Sequence, residues 1–177
     1  MVEVRTIHTA YLTPAELQAI RSLLDHAFGG DFADHDFEHA LGGMHALIWD
    51  GDRLIGHGSV VMRRILHQQR ALRTGFVEAV AVSADHRRQG HGGTIMSALE
   101  EIIRRAYDIG ALSAAEAARH FYAERGWQLW TGTASVFTVD GIRRMPEEEG
   151  GIYLLPLNST LDMNGDLACD WRNGDVW

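Results

Sequence analysis

A single mixed α+β domain is the fold class this sequence predicts, on three observations. Stretches with apolar residues three and four apart interleave with runs in which apolar residues alternate. Capping residues and paired glycines punctuate those stretches. The 177 residues, 46% of them apolar, suffice for one sizeable core and fall short of two. Residues 1–177 are therefore read as one domain.

The opening "VEVRTIHT" reads as a weak strand. "TPAEL" then starts a helix: Thr13 caps, Pro14 suits the first helical position, and Glu16 completes a capping box. Leu17, Ile20, Leu24 and Ala27 or Phe28 follow at helical spacing, and Gly29-Gly30 stops the run. A second, short helix is expected from Asp34 to a stop at Gly42-Gly43. From Met44 the period changes to two. "MHALIW" and "RLIGHGSVVMRRIL" read as a hairpin turning at Asp50-Gly51. A strand follows from Ala71, and "FVEAVAV" is the most strand-like run in the chain. The polar loop "SADHRRQGHGG" feeds a helix expected to open at Thr94, with Ile95, Leu99, Ile102 and Ile103 on its apolar face. "IGALSA" reads as a short strand, and "SAAE" at 113–116 as a second capping box, with the helix stopping at Gly126. "WQLWTG", "ASVFTV" and "GIYLLPL" are later strand candidates.

Composition narrows the function classes. The formal net charge of −8 disfavours nucleic acid and suits a cationic partner. No apolar run approaches the roughly 20 residues of a membrane span, and the start lacks the basic and apolar regions of a secretory signal. The one cysteine, Cys169, has no internal disulfide partner. These features point to a cytoplasmic setting without membrane or nucleic-acid partners.

The chemistry concentrates in "FVEAVAVSADHRRQGHGG". A strand delivers the chain to a loop with Arg87, Arg88, Gln89, Gly90, His91, Gly92 and Gly93, and a helix follows. Free N–H groups at a helix start, with glycines that admit an anion to the backbone, make a phosphate cradle. No G-K-[ST] follows and no G-x-G-x-x-G is present, so neither the P-loop nor the dinucleotide fingerprint applies. The pattern is R-x-x-G-x-G, fixed at Arg87, Gly90 and Gly92.

That pattern resembles the acetyl-coenzyme A loop of the GNAT superfamily of acyltransferases. Tyr122 followed by Gly126-Trp127 resembles the superfamily's last helix. "LGGMHALIW", "AYDIGALSA", "RGW" and "CDWRNGDVW" narrow the resemblance to the aminoglycoside 2'-N-acetyltransferases of mycobacterial type, over nearly the whole chain. The resemblance implies the GNAT acyl-CoA N-acyltransferase fold: a central, mostly antiparallel mixed sheet with a splayed pair of strands, flanked by helices. It implies acetyl-CoA as cofactor, with Val80, Ala81 and Val82 on the pantetheine arm and Arg87 to Gly92 on the pyrophosphate. It also implies a homodimer. Glu147-Glu148-Glu149 and the tip at His67 to Arg70 depart from the relatives and bear on substrate preference.

A polycationic aminoglycoside calls for carboxylates and polar faces. The resemblance assigns substrate contacts to Asp31, Asp36, Glu78, Ala79, Ser113, Glu147, Glu148, Asp175 and the terminal carboxylate of Trp177. Asp34, Glu38 and Glu149 read as solvated surface charge. Trp171 and Trp177, both within the last seven residues, argue that the tail docks. An alkyl amine must lose a proton before it attacks a thioester. Glu78 is the expected base, with Asp175 and the Trp177 carboxylate able to share that work. The backbone N–H near Val80 would polarise the thioester carbonyl. Tyr122 would protonate the departing thiolate.

Three other readings stand beside this one: an acetyltransferase for another amine, a non-catalytic binder of cations, and a zinc hydrolase. The last rests on "HDFEH" at 35–39, which fits H-x-x-E-H. No third ligand and no hydrolytic residues accompany it, so no metal is expected. His35 and His39 read as helix surface, with Asp36 facing the acidic wall. Cys169 has no catalytic partners at recognisable spacing and reads as a packed thiol.

Overall fold

The computed structural model describes residues 4–177. Val2 and Glu3 of the expected first strand lie outside the described residues. The chain divides into two compact units: the chain up to Val61 with Val77–Ile102, and Met62–Phe76 with Ile103–Trp177.

In the first unit, β1 (Val4–His8) is followed by α1 (Pro14–Ala27) and the short α2 (Asp34–His39). The Thr13 capping box is present. The Glu16 N–H donates to Thr13 Oγ1, and the Thr13 N–H donates to the Glu16 carboxylate at 2.8 Å. Gly29 and Gly30 end α1 at φ of +64° and +91°, a region that costs glycine little. The next strands are β2 (Met44–Asp50), β3 (Arg53–His67) and β4 (Arg70–Val82). β1 and β3 flank β2 in antiparallel ladders. Asp50 pairs with Arg53, so the turn residues are Gly51-Asp52, one place later than the sequence suggests. Gly51 takes the positive φ there, at +56°. The two runs expected after the hairpin fuse into the single strand β4, because Gly75 between them is held in the ladder opposite Gly110 and makes no turn. Ile20, Leu23 and Leu24 of α1 pack with Leu47, Leu54 and Ala81 on one face of these strands. α3 (His91–Ala106) covers the other face, where Ile95, Met96 and Leu99 are buried. A Cβ at Gly58 of β3 would come within 2.7 Å of Ile95 Cγ2, so glycine lets strand and helix approach. α3 starts at His91 and not at Thr94. The Thr94 N–H already donates to Gly90 O, which places Gly92 and Gly93 inside the first turn.

In the second unit, β5 (Ile109–Ser113) leads to α4 (Arg119–Glu124), then β6 (Gln128–Leu129), β7 (Thr133–Thr138), β8 (Gly141–Arg144), β9 (Ile152–Pro156) and β10 (Asp166–Cys169). The strand order is β6-β9-β5-β4-β3-β10-β7-β8. The sheet is mixed: β4–β5 and β10–β7 are parallel, and the other ladders of known register are antiparallel. Pairing of β4 with β5 covers Thr74–Phe76 against Ile109–Ala111. The capping box expected at Ser113 does not form. Ser113 is the last residue of β5, paired with Ile152, and α4 starts six residues later without a side-chain cap. Strand pairing outweighs the local capping preference of Ser113. Trp127 packs over Gly110 of β5, where a Cβ would sit 2.9 Å from its ring.

Candidate active site

The loop between β4 and α3 is braced from within. Asp85 accepts both guanidinium nitrogens of Arg53, at 2.7 and 3.1 Å, and this pair holds its carboxyl well below the usual carboxylate range. Ser83 Oγ bonds His86 Nδ1, Arg87 Nε donates to Val82 O, and the Gln89 amide donates to Asp85 O. Arg88 and Gly90 both take positive φ, at +64° and +87°. The loop therefore turns back on itself immediately before α3, where the N–H groups of His91, Gly92 and Gly93 have no intrahelical acceptor. Arg87, Arg88, Gln89 and Gly90 are exposed. An exposed nest of N–H groups at the start of a 16-residue helix, flanked by two arginines, suits a pyrophosphate. The residues present fit the phosphate end of coenzyme A.

Upstream in β4, Ala79 has φ +50°. It is the one non-glycine residue inside a strand with positive φ among the described residues, and such a conformation costs on the order of 1–3 kcal/mol. It lies between Glu78 and Val80, both of intermediate exposure. The Ala79 carbonyl accepts a hydrogen bond from His57 Nδ1 at 2.8 Å. His57 Nε2 meets His45 Nδ1 at 2.9 Å, and His45 Nε2 meets Thr9 Oγ1 at 2.7 Å. Both imidazoles are fully buried. Burial pushes His45 down to about 4 and His57 to about 3, so both are neutral at ordinary pH. Sequence reasoning passed over these residues. Their signal was two histidines inside the apolar runs "MHALIW" and "LIGHGSVV".

Asp31 is exposed beyond the end of α1. Asp36 has a structural task in α2: its carboxylate accepts the Ala33 N–H at 2.8 Å and lies 3.4 Å from His35 Nε2. His35 and His39 face each other with ring centroids 5.7 Å apart. Among the described residues, no three His, Cys, Asp or Glu side chains are grouped to hold a metal.

In the second unit, Glu147 and Glu148 sit in a 3-10 turn at Pro146–Glu148. Glu149 accepts the Arg144 guanidinium at 2.9 and 3.1 Å, which pins that turn to β8. Burial first, then the charges of Asp175 and Glu147, raise the Glu148 carboxyl. The fold thus gathers three of the expected substrate carboxylates. The tail docks through Trp177, 4% exposed, whose Nε1 donates to Ser135 O, while Asp175 is exposed. Trp171 stays 55% exposed, beside Thr138–Arg143 at the β7–β8 turn. The anchor is Arg63, which the sequence reading missed. Its buried guanidinium donates to Asp170 Oδ1, Asp170 O and Val176 O at 2.8, 2.8 and 2.6 Å, and lies over the Phe76 ring. Cys169 is buried beneath the same tail, and burial pushes its thiol up to about 11. Such a thiol stays protonated, as expected of packing. Tyr122 is buried in α4 and edge-on to both Phe121 and Trp127. Burial raises its phenol to about 12.

Residues 5–127 match the Acetyltransferase (GNAT) family. This chain is a GNAT acetyltransferase. As a member it is an acetyl-CoA-dependent enzyme. It is 46% identical to an aminoglycoside 2'-N-acetyltransferase of Mycolicibacterium fortuitum, across 98% of this chain and 91% of that one. Its fold resembles a GNAT family N-acetyltransferase from Escherichia coli solved with CoA, at a TM-score of 0.66 and 17% identity over 94% of this chain and 88% of that one. An acyl-CoA N-acyltransferase from Pseudomonas aeruginosa matches at 0.64 and 18% identity, over 88% and 99%. At those identities the two structures speak to the GNAT fold alone.

Proposed function

We propose that this GNAT acetyltransferase modifies the 2'-amino group of aminoglycosides. The observation that carries the reading is the 46% identity, nearly end to end, to a relative of that name. The carboxylates gathered at Glu147, Glu148 and Asp175 support a polycationic acceptor.

Bound acetyl-CoA supplies the thioester acyl group. Arg87, Arg88, Gln89, Gly90, His91 and Gly92 hold its pyrophosphate, and the backbone of Val80, Ala81 and Val82 pairs with its pantetheine arm. Asp31, Asp36, Ala79, Ser113, Glu147, Glu148, Asp175 and Trp177 bind the drug. Glu78 takes the proton from the ammonium, directly or through water. The Val80 N–H is offered to the acyl oxygen. Tyr122, held protonated by burial, would give its Oη proton to the departing thiolate. The enzyme acts as a homodimer in the cytoplasm, where its one thiol, Cys169, stays reduced.

Thiol release from acetyl-CoA over a panel of amines tests the proposal. Release with 2'-amino aminoglycosides and none with 2'-hydroxy analogues is expected. Preference for a polyamine, a peptide N-terminus or a cell-wall amino sugar would overturn it. No release with any amine would mark a cation-binding protein.

A further inference from the structure

We propose that Thr9, His45 and His57 form a positioning chain that holds the Ala79 kink in β4 and ties it to the Gly42-Gly43 segment behind α2. The inference rests on the reading that β4 carries the reactive groups, Glu78 and Val80.

With both rings neutral, the Ala79 carbonyl sets the direction of each bond along the chain. A carbonyl oxygen only accepts, so His57 Nδ1 carries the proton that meets Ala79 O. His57 Nε2 is then bare and accepts from His45 Nδ1–H. His45 Nε2 is bare in turn and accepts the Thr9 hydroxyl at 2.7 Å, a closer partner than Gly43 O at 3.2 Å. Thr9 Oγ1 accepts the Gly42 N–H at 2.9 Å, and the Thr9 N–H donates to Gly43 O. From the Gly42 N–H through the Thr9 hydroxyl and both imidazoles, the donors point toward Ala79. The chain ends on an amide oxygen, which takes no proton, so it is not a proton route. It is a row of aligned dipoles aimed at one carbonyl.

Its placement points past ordinary packing. Burying two imidazoles is costly unless each nitrogen is bonded, and the sheet ladders of β2 and β3 need no such side chains. The chain ends on the one left-handed alanine within a strand, where the peptide orientation decides which way the Glu78 side chain and the Val80 N–H face. Its other end fixes the backbone where α2, the bearer of Asp36, meets β2. Acceptor arm and reactive strand are thereby tied within one unit. Burial keeps both rings neutral, as the bonding pattern requires.

The test joins histidine NMR with kinetics. In ¹⁵N-histidine-labelled wild type at neutral pH, both buried rings should be the neutral Nδ1–H tautomer. A protonated ring, or an Nε2–H tautomer on either, overturns the chain. His57→Leu removes the donor to Ala79 and should lower kcat about 10- to 100-fold, the cost of a slightly misplaced reactive group. CoA affinity by calorimetry should fall by less than kcat, because the 87–92 loop assigned to the pyrophosphate is untouched. His57→Asn puts an amide donor where Nδ1 stood and should recover most of kcat. Thr9→Val should shift kcat in the same direction by less, and Thr9→Ser should restore it. Wild-type kcat in folded His57→Leu overturns the proposal. So does His57→Asn as impaired as His57→Leu at equal thermal stability. If His57→Leu does not fold, the Thr9 pair and the tautomers decide. If wild type acetylates no aminoglycoside, the substrate reading fails, while the tautomers and Val80 amide exchange in Thr9→Val still test the chain.

Discussion

Tyr122 shows what a single residue's surroundings decide. Its burial against Phe121 and Trp127 lifts the phenol from about 10 to about 12, so it stays protonated, as the proposed acid must. Tyr122→Phe should therefore lower kcat by about 10²-fold, a typical share for a positioned acid. The wild-type profile should show no alkaline loss from this group below about pH 10. An unchanged kcat in Tyr122→Phe would remove the acid. Glu16 gives the opposite sign. The Thr13 N–H first, and then the Arg5 guanidinium, hold its carboxyl down to about 2 in the native state against 4.5 ordinarily. Its stabilisation is fully present above the unfolded value and fades as pH falls through the native one. In thermal melts, the gap between wild type and Glu16→Gln should be open at pH 7 and close toward pH 2. Thr13→Ala should cost about 1 kcal/mol at pH 7. The capping box was legible because it uses four neighbouring residues. His57 and Arg63 were not, because their partners lie 22 and 107–113 positions away.

At the scale of elements, the long strands and α1 were readable from period and punctuation. The misread places are those where non-local pairing overrides a local signal. Ser113 caps nothing because β9 claims it, and β8 and β10 escaped because four-residue strands carry too little pattern. The tail is an element held by one side chain. Arg63→Met keeps bulk but removes the donor to Asp170 O and leaves Val176 O to the weak Cys169 thiol donor, a loss of about 1–3 kcal/mol. The tail carrying Asp175 and Trp177 should then loosen. KM for the aminoglycoside should rise several-fold while KM for acetyl-CoA holds. Equal effects on both would show that the tail serves stability alone.

For the molecule as a whole, β3 and β4 each contribute residues to both compact units. Neither unit has a complete sheet without them, so calorimetry should record one cooperative transition, and two resolved transitions would contradict the one-domain reading. The family was legible because strand, R-x-x-G-x-G loop and helix are contiguous in sequence. The proposed acceptor rests on resemblance, since acidity alone does not choose among polycations. The proposed reaction is defined by its regiochemistry: acetyl goes to the 2'-amine. Its most direct test is NMR of the product formed from ¹³C-acetyl-CoA and an aminoglycoside bearing several amines. A single new amide coupled to the proton on C2' is the expected result. Acetyl on any other amine, or on a hydroxyl, would contradict it.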